Sequence, residues 1–148
     1  MKRILIISVF ACIVHLGHAQ NSTSKDSTFI LTRTKFLKSL EQKKLSDLMT
    51  IVDDSVTMIF PDGDIMKGKN RFLEFNEAWF KKDWKINTEV LSTDIRNDLG
   101  YSLVRYRYLR YKPDKTEGSL SYIYLLLIFK KRDQNWFLVH NQHTKILL

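Results

Sequence analysis

Cysteine, proline and glycine are scarce in this sequence. The 148 residues contain one cysteine, two prolines and five glycines. The cysteine, Cys12, lies in an apolar N-terminal segment, so the chain beyond it has no disulfide, no thiol nucleophile and no thiolate metal site. The glycines are scattered, and they form neither a phosphate-binding loop nor a dinucleotide fingerprint nor a nucleophile elbow. The enzyme classes that depend on those devices are therefore excluded.

The first residues have the pattern of a secretory signal peptide. The second and third residues are basic, and an apolar segment then runs from Ile4 to Leu16. This segment is too short to span a membrane, and small residues follow it as in a cleavage site. We expect residues 1–19 to be removed before Gln20, residues 20–28 to form a flexible lead-in, and the protein to be secreted or periplasmic.

The chain is basic, with a formal net charge of +8. Two of these charges belong to the signal peptide, and the remainder favours solubility and attraction to anionic partners. Because the protein is expected to be exported, we expect no nucleic-acid partner. We also expect no membrane span.

Apolar periodicity predicts three helical segments in the first half of the chain. The first begins near Phe29, with Ser27 or Thr28 as its cap, and presents an apolar stripe through Phe36 and Leu40. A short second helix follows Lys44, and the third covers residues 70–82.

Aromatic and β-branched residues bounded by turn clusters predict the strands. A small hairpin is centred on Pro61-Asp62-Gly63-Asp64, because Asp-Gly between extended segments favours a tight turn. Four long antiparallel strands then fill residues 84–99, 101–111, 119–130 and 136–146, with an irregularity near Leu91 in the first of them. Helices first and strands afterwards predict an α+β fold in which the helices pack on a strongly curved antiparallel sheet. One domain of residues 29–148 is expected.

Three passages carry a resemblance to a known family. They are the hairpin and turn Pro61-Asp62-Gly63 followed by Gly68 and a helix, the strand opening Leu99-Gly100-Tyr101, and the terminal strand from Trp136 to Thr144. In these passages the chain resembles the nuclear transport factor 2-like superfamily, in its SnoaL-like or ketosteroid-isomerase-like branch. The resemblance covers about Phe29 to Ile146. It implies a cone-shaped α+β barrel with a deep pocket.

The resemblance also implies a homodimer that buries the outer face of the sheet. Such a dimer would account for the run from Tyr122 to Phe129, which is apolar on both faces. The superfamily includes isomerases, cyclases, dehydratases and non-catalytic domains, so the fold does not decide the function.

Strict alternation along the last strand places Trp136, His140, Gln142 and Thr144 on one face. By the resemblance, this face looks into the pocket. His140 is then the candidate catalytic residue, although a structural role for it stays equally open. Trp136, Gln142 and Thr144 are candidate ligand-binding residues, together with Tyr106 and Trp79 from other elements.

The sequence offers no metal site and implies no cofactor. His140 and His143 are expected on opposite faces of their strand, and no carboxylate lies near them. Ketosteroid isomerisation is disfavoured, because it needs a carboxylate base and a tyrosine, and the first helix has no tyrosine.

Two classes of function remain. The first is an exported domain that binds a small, largely apolar ligand in a conical pocket, with cofactor-independent proton transfer of the isomerase, dehydratase or cyclase type as its enzymatic version. The alternative is a non-catalytic domain for dimerisation or for association with another envelope component.

Overall fold

The computed structural model describes residues 26–112, 114 and 116–146. The predicted signal peptide lies outside these residues. Within them the chain forms three helices: α1 (Ser27–Glu41), α2 (Leu45–Ile51) and α3 (Lys69–Phe80). It also forms six strands: β1 (Val52–Ile59), β2 (Ile65–Lys67), β3 (Trp84–Arg96), β4 (Leu99–Tyr111), β5 (Glu117–Arg132) and β6 (Asn135–Lys145). No helix in the described part of the chain is long and apolar enough to cross a bilayer.

The strands form one curved, unclosed sheet in the order β2-β1-β6-β5-β4-β3. Strands β3 to β6 follow one another as an antiparallel meander, and β2 returns antiparallel to β1. Among the described strands, only β1 and β6 form a parallel pair, which joins the first strand to the last. The helices pack on the sheet, α1 against β3 and β6 and α3 against β1 and β2. The predicted α+β class is thus confirmed.

Helix α1 is capped by Asp26, one residue before the first of the predicted caps. The Asp26 carboxylate accepts hydrogen bonds from the backbone N–H groups of Thr28, at 2.9 Å, and Phe29, at 3.2 Å. It therefore satisfies two of the donors that a helix leaves free at its N-terminus. The predicted apolar stripe is correct, since Phe29, Phe36 and Leu40 are all buried against the sheet.

One end of the molecule is closed by aromatic packing around Phe29. Its ring meets those of Phe129 and Trp136 edge to face, with centroids 5.4 and 5.1 Å apart. Trp136 Nε1 lies 3.3 Å from Asp26 Oδ2, and Lys131 Nζ lies 2.9 Å from the same oxygen. The start of α1 is thereby fixed to the β5–β6 end of the sheet.

Irregular positions in two strands bend the sheet. In β3 the pairing with β4 skips Leu91, as the sequence predicted. In β6, Leu138 pairs with Phe129 and His140 pairs with Ile128, so Val139 is an extra residue. Such a bulge interrupts the alternation of side chains between the two faces. The strict alternation predicted for this strand is therefore wrong beyond Leu138.

We predict that Gly100→Ala is destabilising because of this closed end. An added Cβ would lie 2.7 Å from Cδ2 of the Phe29 ring, far inside van der Waals contact. Overpacking of this kind lowers the free energy of unfolding by about 1–3 kcal/mol. Chemical denaturation of Gly100→Ala, of Phe29→Leu and of the double variant would measure it. The free energy of unfolding should fall less in the double variant than the sum of the losses in the two single variants. Additive losses would show that the ring and the new methyl group do not collide.

Candidate functional site

The inner face of the sheet leaves a cavity of about 230 Å³ at the end opposite to Phe29. The end of β1 and the following turn, α3, and the strands β4, β5 and β6 each contribute to its wall. The wall is mainly apolar, and buried residues such as Met58 lie beside half-buried ones such as Phe60. This mixture is typical of a ligand cavity that reaches the surface at one side.

Aromatic rings from α3 and β4 form one side of the cavity. Phe75 and Trp79 are one helical turn apart and so lie on the same side of α3. Trp79 stacks on Trp84 at 4.1 Å between centroids, and its plane lies 22° from that of Tyr108. Alternation along β4 brings Tyr106 into the same wall. The rings thus support one another and are held in place.

Asn141 and His143 of β6 supply polar groups to the cavity. They lie two residues apart, on the same face of the strand, and the Tyr106 ring lies 6.1 Å from the His143 ring. Asn141 Oδ1 and His143 Nε2 are both buried and have no hydrogen-bond partner. In the described part of the chain only one other buried side-chain atom is in this condition, Nε of Arg33. The unsatisfied polar atoms are thus concentrated at the cavity.

Asn76 of α3 is the third polar residue with an amide or imidazole in the wall. It is 3% exposed, and its Nδ2 donates a hydrogen bond of 2.7 Å to the carbonyl oxygen of Phe72. This bond uses one of the two N–H groups of the amide and holds the side chain in place, so that Oδ1 and the second N–H remain for a ligand. An acceptor is therefore fixed on the α3 side of the cavity as well.

The described residues that line the cavity include no Asp, Glu, Lys or Arg. Burial lowers the pKa of His143 from 6.5 to about 4, so the imidazole is neutral at pH 7. Burial also raises the pKa of the Tyr106 phenol, and the neighbouring Tyr108 adds to the rise. The cavity is uncharged at neutral pH as a result.

Two of the residues proposed from sequence, Tyr106 and Trp79, line this cavity. Trp136 faces inwards but lies at the closed end, where it packs on Phe29. His140 is placed differently from the expectation, because the bulge at Val139 turns it away from the cavity. It pairs with Ile128, which alternates with the buried Leu127 and Phe129 of β5 and so lies on the outer face.

Gln142 and Thr144 also lie on the outer face, beside Leu126 and Tyr124 of β5. They border a shallow depression next to the turn between β1 and β2. The bulge brings Asn141 and His143 to the cavity instead, and neither was predicted as a site residue. Nothing in the sequence around Val139 marks it as the extra residue, so no local signal could have found them.

No group of three or more His, Cys, Asp or Glu side chains within the described residues could hold a metal ion.

The matched family model is that of the SnoaL-like domain, and the match covers residues 32–146 of the chain. A comparison with curated proteins found no match.

Solved structures with a similar fold come from several bacteria. A ketosteroid isomerase-like protein from Erwinia carotovora atroseptica SCRI1043 has a TM-score of 0.72 and 11% identity, covering 85% of this chain and 99% of its own. A dehydratase candidate of the nuclear transport factor 2-like family from Streptomyces avermitilis has a TM-score of 0.71 and 13% identity, covering 84% and 99%. A protein with a cystatin-like fold from Caulobacter vibrioides has a TM-score of 0.69 and 13% identity, covering 82% and 89%. At these identities the likeness concerns the fold alone.

We predict that His143 makes the stability depend on pH between 6.5 and 4. The unfolded chain takes up the proton near pH 6.5, and the folded chain takes it up only near pH 4. The stability is therefore complete above pH 6.5 and is lost as the pH falls, by about 3 kcal/mol at most. Urea unfolding of the native protein and of His143→Phe at several pH values would measure the difference.

His140→Phe is the matched control, since it leaves the His143 imidazole in place and should keep the loss. Asp26 affects the stability only at lower pH, because the hydrogen bond from Thr28 and the contact with Lys131 lower the pKa of its carboxyl well below 3.8. A native protein and a His143→Phe variant with parallel curves from pH 7 to pH 4 would contradict the prediction.

Proposed function

The chain belongs to the SnoaL-like domain family, and we propose that it binds a small, largely apolar ligand in the cavity between α3 and β6. The observation that carries the proposal is the pair of unpartnered buried atoms in the cavity wall, Asn141 Oδ1 and His143 Nε2. A buried polar atom without a hydrogen bond costs about 1–3 kcal/mol. A wall that serves only stability would use apolar side chains at both positions.

The distribution of the core also supports a binding cavity. The rings of Phe29, Phe36 and Phe72 are at most 1% exposed, and none of them lines the cavity. Phe29 and Phe36 pack against Phe129 at the closed end, and none of the three rings occupies the cavity. An apolar cavity of about 150 Å³ is enough to hold benzene, so this larger one has room for a ligand of one to two rings.

The electrostatics favour binding over proton transfer in the ligand-free protein. A general base works best when its pKa lies near the working pH, and burial lowers that of His143 to about 4. No carboxylate lines the cavity in the described residues, so a second candidate base is absent there. His143 is therefore assigned an orienting role as a neutral hydrogen-bonding group. An enzymatic version, an isomerase, dehydratase or cyclase without cofactor, would require a ligand that raises this pKa.

Export is part of the proposal. The basic start, the apolar segment from Ile4 to Leu16 and the small residues before Gln20 support cleavage of residues 1–19 and a secreted or periplasmic location. Tandem mass spectrometry of the N-terminus of the mature protein would test it.

We predict that Ile123→Trp abolishes ligand binding while the protein still folds. Ile123 is half-buried and lines the cavity, so an indole ring at this position fills the space that a ligand would occupy. Toluene is a suitable uncharged probe, and its binding can be followed by thermal unfolding and by the emission of Trp79, which also lines the cavity.

Ile128→Trp is the matched control for this experiment. Ile128 belongs to the same strand but lies on the outer face, beside His140. The native protein and Ile128→Trp should both be stabilised by toluene, and Ile123→Trp should not. If toluene stabilises all three chains equally, the ligand does not occupy this cavity.

A second candidate function, self-association through the outer sheet face, is favoured by one observation. Leu126 and Ile128 of β5 lie on this face, next to Leu103 and Tyr101 of β4 in the register of the two strands. Tyr101 is 41% exposed, and the others are half-buried in the isolated chain. A contiguous apolar patch across neighbouring strands is typical of a surface covered by a partner. We assign a second copy of this chain as that partner.

We predict that Leu126→Glu weakens such a dimer by at least tenfold, because it places a charge in the centre of the buried patch. Sedimentation equilibrium over a range of protein concentrations would measure the dissociation constant. Met49→Glu is the control, since Met49 is an exposed apolar residue on α2, away from this face. A native protein that stays monomeric at all concentrations would overturn this second candidate.

A further inference from the structure

The unpartnered atoms of the cavity also indicate what kind of ligand it accepts, and this inference rests on the ligand-binding function proposed above. Three amide or imidazole side chains line the cavity, those of Asn141, His143 and Asn76, together with the phenols of Tyr106 and Tyr108. Their hydrogen-bonding state, the absence of charge and the size of the cavity each restrict the ligand independently.

The first restriction is charge. No Lys or Arg lines the cavity among the described residues, so a carboxylate, phosphate or sulfate would enter without a counter-ion. No Asp or Glu lines it either, so a cation would have no partner. Burying an unpaired charge is far more costly than burying a neutral polar group. The ligand is therefore uncharged.

The second restriction is shape. The plane of the Trp79 ring lies 15° from that of Phe75 and 22° from that of Tyr108. Trp79 is held from behind by Trp84, at 4.1 Å between ring centroids. Rigid aromatic walls favour flat ligands, because a flat ring gains contact without requiring the wall to rearrange. The volume of about 230 Å³ has room for two fused rings.

The third restriction is the direction of the hydrogen bonds. Asn141 Oδ1 is buried and accepts no hydrogen bond, whereas Asn76 donates one of its two N–H groups to the Phe72 carbonyl oxygen. A neutral imidazole has one ring nitrogen that accepts and one that donates, and the buried Nε2 of His143 has no partner in either role. The acceptor that is buried and unmatched is therefore Asn141 Oδ1, and a ligand satisfies it by donating a hydrogen bond.

We infer that the cavity selects an uncharged, flat ligand of about two fused rings that donates a hydrogen bond to Asn141 or His143. An N–H or O–H group placed at the β6 wall would give a buried acceptor its missing partner. A ring system of the same shape without that group leaves the acceptor unsatisfied and binds less tightly. A site whose buried polar groups need a hydrogen-bond partner from the ligand discriminates strongly against analogues that lack the matching group.

The test uses three probes of nearly the same shape: indole, benzofuran and indene. Indole has an N–H donor, benzofuran has an oxygen acceptor at the equivalent position, and indene has neither. Titration calorimetry on the native protein should give indole an affinity about tenfold higher than that of the other two. Indole-2-carboxylate, the charged counterpart, should bind at least tenfold more weakly than indole.

Asn141→Leu is the variant that tests the residue assignment. Its Oδ1 is unpartnered, so an apolar replacement of similar size should leave the protein folded. This variant should bind indole and indene with closely similar affinity, as should His143→Phe if the imidazole is the acceptor instead. Gln142→Leu, the neighbouring substitution on the outer face, is the control and should keep the preference for indole. The three probes on the native chain decide the main point even if Asn141→Leu fails to fold.

The outcomes separate this inference from the proposed function. Equal binding of indole, benzofuran and indene would overturn the donor preference and leave the binding cavity standing. A preference for benzofuran would also overturn it and would assign the tyrosine hydroxyls as the selecting groups. Tightest binding of indole-2-carboxylate would overturn the neutral class. If none of the probes binds, and toluene also fails, the ligand-binding function itself is wrong.

Discussion

The last strand of this protein has to pair with two neighbours that impose different geometries. It runs antiparallel to β5 and parallel to β1, and β1 joins it through a shift in register between Val52 and Thr57. The extra residue Val139 lies where these two pairings meet. Before it, Trp136 and Leu138 are buried, and after it Asn141 takes the inward position. Because of this one extra residue, β6 directs apolar side chains to the closed end and polar side chains to the cavity.

The two ends of the molecule differ in whether their polar side-chain atoms have hydrogen-bond partners. At the closed end, Trp136 Nε1 and Lys131 Nζ are directed to the Asp26 carboxylate, and the Phe29 ring fills the space that Gly100 leaves. The indole N–H of Trp136 and the ammonium group of Lys131 thus both have a partner in this packed end. At the other end the rings of α3 and β4 are braced against each other, while the polar atoms of β6 are left unmatched. Two of the three unpartnered buried side-chain atoms in the described residues therefore lie at the cavity.

Features that depend on local periodicity could be predicted from the sequence, whereas features that depend on the register between strands could not. The stripe of α1, the hairpin at Asp62-Gly63 and the irregularity at Leu91 all follow from local patterns of apolar and turn residues. The position of the β6 bulge does not, because it results from pairing with strands that are distant in sequence. A one-residue slip moves every later side chain to the other face. That is why the inner face was predicted to carry His140 and carries Asn141 and His143.

The cavity wall carries His143 instead of the predicted His140, and this difference alters the chemistry that the site can support. Burial lowers the pKa of His143 and holds its imidazole neutral at pH 7. A neutral imidazole beside an unpartnered amide oxygen is suited to holding a ligand in one orientation. The described residues of the cavity wall include no charged side chain that would stabilise the ion created by a proton transfer, and no carboxylate that could serve as a base. Recognition, with orientation set by β6, is therefore the role that its own residues support.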